Sequence, residues 1–155
     1  MKVCFVMGPT GSGKSTYIKN YLPPNSTVID IYKFQEEVLG KNRIATTISL
    51  LMAEERCINA LINAIKDNKD KSSTIVLEHT MYANTRKEFY LRAAREAGAK
   101  TIEGICISPN KVNYIKRLNE KLPDIPSSER KFYLDCFKNF ETPPSGWFDK
   151  LTFVF

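Results

Sequence analysis

The chain of 155 residues is poor in the residue types that build metal and redox sites. It has a single histidine, His79, and four cysteines, none of which forms a C-x-x-C pair. Zinc sites use closely spaced pairs of cysteines or histidines, and disulfide frameworks belong to short secreted chains rich in cysteine, so we expect neither here. Cys4 and Cys106 fall in predicted core strands, where a cysteine behaves as a small hydrophobic residue.

The sequence also lacks a long apolar run, a signal-peptide cleavage pattern, internal repeats and low-complexity tracts. A membrane-spanning helix needs about 20 consecutive apolar residues, and a secretory signal needs an apolar segment followed by small residues. We therefore expect one domain over residues 1–155, located in the cytoplasm, without a membrane partner. The net charge of +6 is spread along the chain, which is compatible with a polyanionic partner but does not require one.

What the chain does contain is a glycine-rich motif at residues 8–16, GPTGSGKST, which fits G-x-x-x-x-G-K-[ST]. Its glycines let backbone N–H groups converge on phosphate oxygens, and the following helix adds its positive N-terminal end. The lysine reaches the β- and γ-phosphates, and the hydroxyl after it ligates Mg²⁺. The motif predicts a site for ATP and Mg²⁺ built from Gly8, Pro9, Thr10, Gly11, Ser12, Gly13, Lys14, Ser15 and Thr16.

The segments around the motif predict alternating strands and helices. An apolar strand precedes the glycine loop and a short helix follows it. The predicted strands cover residues 2–7, 27–31, 74–77, 101–107 and 150–155. The predicted helices cover residues 15–21, 46–68, 84–97 (with Asn84 as N-cap and Gly98 as stop), 110–122 and 127–138. This order predicts an α/β fold, doubly wound in three layers around a mostly parallel five-stranded sheet.

In such a sheet, ligands bind outside the carboxyl ends of the strands. We therefore expect the glycine loop to share a cleft with Asp30 to Tyr32, with Glu78 to Thr80, and with the stretch after Ile107.

Three segments resemble small P-loop kinases similar to the phage-type polynucleotide kinase domain, in the AAA-type kinase group. They are VMGPTGSGKST, IVLEHTMYANTRKEFYLRAAREAGA, and the run from SPNKVNYIKRLNEKLPDIP through Phe140 to GWFDKLTFVF. The resemblance implies the P-loop kinase fold and transfer of phosphate from ATP to a hydroxyl. The acceptors of that group are polynucleotide 5′ ends, other nucleotides or small metabolites.

The resemblance also implies roles for individual residues. Lys14 and Ser15 match the phosphate and metal positions, and Thr16 supports the α-phosphate. Arg117 is similar in place to a lid arginine that binds phosphate. Lys121 stands where that group usually has a second arginine, and a lysine keeps the charge but loses the bidentate fork.

The general base of the group is an aspartate just after the second strand, and without a gap it aligns on or beside Tyr32. Asp30 lies two residues earlier, on the same side of an extended segment, and is our first candidate. Glu78 is the alternative, as the base itself or as a magnesium ligand through water. Tyr32, His79 and Arg86 are candidates for contact with the acceptor, and Tyr32, Phe34, Tyr82 and Tyr114 are candidates for stacking on a base.

The first hypothesis for function is therefore a P-loop kinase that phosphorylates a polynucleotide 5′-hydroxyl end. Two alternatives stay open: a kinase for a metabolite or nucleoside, and a nucleotide-binding module without catalysis. We also expect modest discrimination between ATP and GTP. Acceptor identity and oligomeric state do not follow from the sequence.

Overall fold

The computed structural model describes residues 1–40, 46–69, 71–121, 123–124 and 126–155, and the side chain of Lys121 lies outside this description. Along the chain, one or two α-helices separate each strand from the next. The strands are β1 (Lys2–Met7), β2 (Thr27–Asp30), β3 (Thr74–His79), β4 (Ile102–Ile107) and β5 (Lys150–Val154). The helices are α1 (Lys14–Tyr21), α2 (Ile31–Leu39), α3 (Thr47–Asp67), α4 (Asn84–Ala97), α5 (Lys111–Lys121) and α6 (Ser127–Asn139). The predicted end of the fifth helix, at Leu122, falls outside the described residues.

The five strands form one parallel sheet in the order β2-β3-β1-β4-β5. The predicted five-stranded, doubly wound α/β fold is confirmed. Met7 lies opposite both His79 and Cys106, and Asp30 lies opposite Glu78. The carboxyl ends of these four strands therefore lie at one rim of the sheet, which is where parallel sheets bind their ligands.

Alternate residues of β1 pack into two separate cores, because successive side chains of a strand point to opposite faces. Phe5 and Met7 lie in the larger core, which also holds side chains of α3 and α4. Cys4 and Val6 lie in the smaller core, against Tyr17 of α1. The molecule thus has the predicted three layers, with the sheet in the middle.

The predicted second strand is one residue too long, and helix α2 directly after it was not predicted. Asp30 is the N-cap of α2, and its carboxylate accepts a hydrogen bond from the Tyr32 backbone N–H at 2.9 Å. An aspartate in this position satisfies an N–H group that the helix leaves without a partner. Ile31, Phe34 and Val38 then form the apolar side of α2 and pack on the larger core.

Helix α3 is confirmed, and Thr46 forms a capping box with Ser49 at its start. The apolar spacing that predicted this helix divides into two parts. Ile58, Leu61 and Ile65 are buried in the larger core, whereas Ile48, Leu51 and Met52 in the first turns are exposed. Helical spacing identified the helix correctly but did not show where its buried face ends.

Helix α4 has the predicted bounds but a different cap. Ala83, not Asn84, is the N-cap residue, and the Asn84 N–H donates to the carboxylate of Glu141 at 3.0 Å. The prediction of Asn84 as the cap is wrong because a distant carboxylate satisfies the free N–H instead. Gly98 ends the helix with φ = 113°, as predicted.

The four cysteines are buried and carry free thiols. Within the described ranges, no helix is long and apolar enough to cross a membrane.

Candidate functional site

The glycine loop, residues 8–13, connects β1 to α1 at the centre of the rim. A Cβ atom on Gly8 would lie 2.5 Å from the carbonyl oxygen of Ile107, so the close approach of the loop to β4 requires glycine. Gly13 is the N-cap of α1 with φ = 102°, a conformation that other residues rarely adopt. The loop therefore turns directly into the N-terminus of α1, which attracts anions.

Lys14 is buried at the start of α1, and its ammonium group stays inside the loop. Nζ donates to the carbonyl oxygens of Gly8 at 2.9 Å and Pro9 at 3.0 Å. Burial lowers the pKa of Lys14 to about 8, although the neighbouring carboxylate of Glu78 acts in the opposite direction. An ammonium has three N–H donors, so one remains for a phosphate oxygen.

Ser15 and Glu78 meet across the rim. The Ser15 hydroxyl donates to Glu78 Oε1 at 2.5 Å, and both residues line a cavity of about 170 Å³ together with Lys14 and Tyr32. Burial raises the pKa of Glu78 above its ordinary value, and the hydrogen bond from Ser15 partly offsets this. A hydroxyl and a carboxylate oxygen are ligands that Mg²⁺ prefers, so this pair fits a magnesium site beside the phosphates.

Asp30 lies next to Glu78 because the two residues are opposite each other on neighbouring strands. The prediction that Asp30 and Tyr32 lie on one side of an extended segment is wrong, since Tyr32 belongs to helix α2. The geometry nevertheless brings the two carboxylates to the same part of the rim. Asp30 is half-buried, and one of its carboxylate oxygens accepts from the Tyr32 N–H. The other oxygen has no partner among the described contacts.

Hydroxyl groups connect the glycine loop to the neighbouring elements. Thr10 Oγ1 lies 3.2 Å from the Tyr32 hydroxyl and 3.1 Å from the Tyr82 hydroxyl. The Tyr32 hydroxyl also lies 2.6 Å from Thr80 Oγ1. This network was not predicted, because no motif places a threonine of the loop beside tyrosines that are 22 and 72 residues away.

Helix α5 lies over the loop from the other side, and Arg117 faces the loop; its binding of phosphate stays a prediction. The Arg117 guanidinium donates to the carbonyl oxygen of Ser12. Tyr114 is fully buried, stacks on Phe137 and bonds through its hydroxyl to the Thr10 carbonyl, so it offers no free ring face to a base. The other predicted residue of this helix, Lys121, has a side chain outside the described part of the chain.

A second groove, of about 400 Å³, adjoins the loop between α1, α5 and the ends of β4 and β5. Tyr17 and Tyr21 lie along one wall with ring centroids 4.9 Å apart, and Arg117 and Phe155 also line it. Aromatic rings and a guanidinium plane can stack on any nucleobase. Neither tyrosine of this wall was among the predicted stacking residues.

His79 does not line the phosphate cavity. It points to the larger core, where Nε2 lies 2.8 Å from Glu54 and Nδ1 accepts from the Met81 N–H at 2.9 Å. Both ring nitrogens are engaged within the protein, so the predicted contact of His79 with substrate gains no support from the structure. Arg86, in the first turn of α4, is half-buried near the same Glu54 carboxylate, and its contact with an acceptor stays a prediction.

Comparison with solved structures assigns the fold to a known class. The chain is similar to a sugar kinase from Janibacter sp. HTCC2649 (15% identity, TM-score 0.63), with 100% of this chain and 84% of that chain covered. It is similar to a gluconokinase from Sinorhizobium meliloti 1021 (12% identity, TM-score 0.65), with 99% and 81% covered. It is also similar to a chain of the Pnkp1/Rnl/Hen1 RNA repair complex (15% identity, TM-score 0.63), with 88% of this chain but only 44% of that chain covered.

The chain therefore has the three-layer fold of P-loop kinases. No protein-family model matches the sequence, and no curated protein is significantly similar to it.

Proposed function

We propose that this protein is an ATP-dependent phosphotransferase that moves the γ-phosphate to a hydroxyl, with a polynucleotide 5′-hydroxyl end as the first candidate acceptor. The observation that carries the proposal is the grouping of Lys14, Ser15, Glu78 and Asp30 at one rim of the sheet. We place the activity in the cytoplasm, because four buried free thiols suit a reducing compartment.

The proposed reaction assigns one task to each group. Lys14 and Arg117 stabilise the charge on the transferring phosphoryl group. The acceptor oxygen forms a bond to the γ-phosphorus while the bond to the bridging oxygen breaks, and ADP leaves with that electron pair. Asp30 takes the proton of the acceptor hydroxyl.

Mg²⁺ is the implied cofactor, and Ser15 with Glu78 are the residues that would hold it. When bound, the ion neutralises negative charge on the phosphate oxygens. Glu78 then has a role distinct from that of Asp30, which explains why two neighbouring strands each carry a carboxylate at this rim.

A second candidate acceptor is a small molecule with uncharged hydroxyl groups, such as a sugar or nucleoside. A cavity of about 320 Å³ shares the Tyr32 wall with the phosphate cavity and is further lined by Gln35, Glu36, Leu39 and Gly40. Amide and carboxylate groups suit hydroxyl partners, and among the described lining residues none is a lysine or arginine. The similarity to a sugar kinase and a gluconokinase supports the same candidate.

The test is transfer of labelled γ-phosphate from Mg-ATP to a panel of acceptors. The panel holds 5′-hydroxyl DNA and RNA oligonucleotides, mononucleotides, nucleosides and sugars. Lys14→Ala serves as the blank, and Lys19→Ala is the matched control because Lys19 is an exposed lysine of the same helix. We expect label on the 5′ end of an oligonucleotide with the parent protein and with Lys19→Ala, but not with Lys14→Ala.

Label on small acceptors alone would replace the end-kinase proposal with the metabolite kinase. No label at all, with ATP binding demonstrated, would favour a nucleotide-binding module without catalysis.

We also expect less than about 100-fold preference between ATP and GTP, which corresponds to about 2.7 kcal/mol. The groove beside Arg117 offers rings and apolar side chains to a base, and stacking of this kind tolerates any base. A competition titration of the two nucleotides measures the ratio of their Kd values. A larger preference would show that hydrogen bonds read the edge of the base.

A further inference from the structure

The last two residues of β3 point to opposite faces of the sheet, and His79 points away from the phosphate cavity. Its imidazole is buried, with 6% of its surface exposed. It lies edge-on to the ring of Tyr90 with centroids 5.2 Å apart. The role of His79 must therefore come from its contacts within the protein.

The hydrogen bonds of His79 define which of its ring nitrogens carries the proton. Nδ1 accepts from the Met81 backbone N–H at 2.9 Å, so it carries no proton. The ring proton is then on Nε2, which lies 2.8 and 2.9 Å from the two carboxylate oxygens of Glu54. Glu54 is suited to accept it: burial alone would raise its pKa, but hydrogen bonds from His79 and from Tyr90 hold the pKa of Glu54 below its ordinary value.

Met81, which His79 holds, has an unusual backbone. Its φ is 45°, which makes it a non-glycine residue in the left-handed region, a conformation that costs free energy unless neighbouring contacts impose it. Met81 is also buried. The hydrogen bond to Nδ1 is therefore one of the contacts that keep this turn in shape.

The two neighbours of Met81 carry the hydroxyl groups that reach the phosphate site. Thr80 lies 2.6 Å from the Tyr32 hydroxyl, and the Tyr82 hydroxyl lies 3.1 Å from Thr10 of the glycine loop. The Tyr82 carbonyl is fixed separately, because it accepts from the Glu141 N–H at 2.8 Å and from Lys87 Nζ at 3.2 Å. A change at Met81 would therefore displace the Thr80 hydroxyl relative to Tyr32, while the backbone of Tyr82 keeps its own contacts.

We propose that His79 is a positioning residue: Glu54 orients the imidazole, the imidazole holds Met81, and Met81 places Thr80 against Tyr32. The Tyr32 hydroxyl in turn contacts Thr10 of the glycine loop. The expected effect on kcat rests on the proposed phosphotransfer, whereas the expected effect on the Met81 backbone does not. A positioning role accounts for a buried histidine–carboxylate pair that takes no part in the chemistry itself.

Two substitutions separate the two hydrogen bonds of His79. In His79→Asn, the side-chain oxygen replaces Nδ1 and can still accept from Met81, but the contact with Glu54 is lost. In His79→Gln, the longer amide reaches Glu54 but leaves the Met81 N–H without its acceptor. Tyr90→Phe is the matched control, since it removes the hydrogen bonds of the Tyr90 hydroxyl to the Glu54 carboxylate at 2.5 Å and to the Glu54 carbonyl at 3.4 Å. It leaves both hydrogen bonds of His79 in place.

The first readout is hydrogen exchange of the Met81 amide, which needs no enzymatic activity. We expect exchange in His79→Gln to be about five- to tenfold faster than in the parent protein, with little change in His79→Asn and Tyr90→Phe. The second readout is steady-state kinetics. We expect kcat to fall about 10- to 100-fold in His79→Gln while KM for ATP changes little, since small displacements of a reacting geometry have effects of this size.

Recovery of kcat in His79→Asn, despite a lower Tm, would distinguish positioning from general stability. Equal exchange and equal kcat in the Asn and Gln variants would overturn the proposal. If the exchange order is as expected while the parent protein transfers no phosphate, the positioning role stands and the proposed function fails.

Discussion

Asp30→Asn is expected to lower the rate of phosphotransfer by about 10²–10⁴-fold, the usual contribution of a general base, with ATP binding nearly unchanged. Asparagine cannot take the proton of the acceptor. It is, however, as good a helix N-cap as aspartate, so the hydrogen bond from the Tyr32 N–H and the start of α2 are kept. The measurement is single-turnover transfer at saturating acceptor, with ATP affinity determined separately.

Two comparisons make this result specific. Glu55→Gln neutralises an exposed carboxylate of α3 and is the control for net charge. We expect this variant to transfer phosphate at the rate of the parent protein. Glu78→Gln is expected to raise the Mg²⁺ concentration needed for half-maximal rate, because it weakens the proposed metal site. If Asp30→Asn stays within about threefold of the parent rate and Glu78→Gln loses transfer at all Mg²⁺ concentrations, Glu78 is the base instead.

Arg117→Ala is expected to lower kcat by about 10²–10³-fold, as when one positioned donor to a transition-state charge is removed. Arg117→Lys should recover only part of the rate, because a lysine keeps the charge but not the planar fork. Lys116→Ala is the matched control: Lys116 precedes Arg117 on α5 but is exposed. The measurement is kcat and KM for ATP in all three variants.

Arg117 also donates to the Ser12 carbonyl, so a purely structural role needs its own readout. That role predicts a lower Tm and weaker ATP binding with little change in kcat. A kcat within about threefold of the parent in Arg117→Ala would remove Arg117 from the catalytic group.

The sheet and the glycine loop could be predicted because their signals are local. Apolar runs such as residues 2–7 define strands, and the spacing of Gly8, Gly13 and Lys14 defines a phosphate loop within nine residues. The order of the strands along the chain then restricted the architecture to a doubly wound sheet. These features depend little on which side chains meet in space.

The cap of α4 and the surroundings of His79 depend on contacts between residues that are distant in sequence. The N-terminus of α4 is capped by Glu141, which lies 57 residues beyond Asn84. His79 was considered for substrate contact because nothing in the sequence pairs it with Glu54, 25 residues earlier. Helix α2, by contrast, has local signals, because Asp30 is a good cap and Ile31, Phe34 and Val38 have helical spacing. It was not predicted because the predicted strand, residues 27–31, already included its cap and its first residue.

The end of β3 has a further consequence for the mutations that this chain can accept. Glu78 and His79 are adjacent, yet the first faces Ser15 and the second faces Glu54. Because side chains alternate along a strand, inserting or deleting one residue within β3 would exchange the two faces. The carboxylate would enter the larger core, and the imidazole would stand beside the phosphate loop. Substitutions among Ile75, Val76 and Leu77 are therefore much easier to tolerate than any change in the length of this strand.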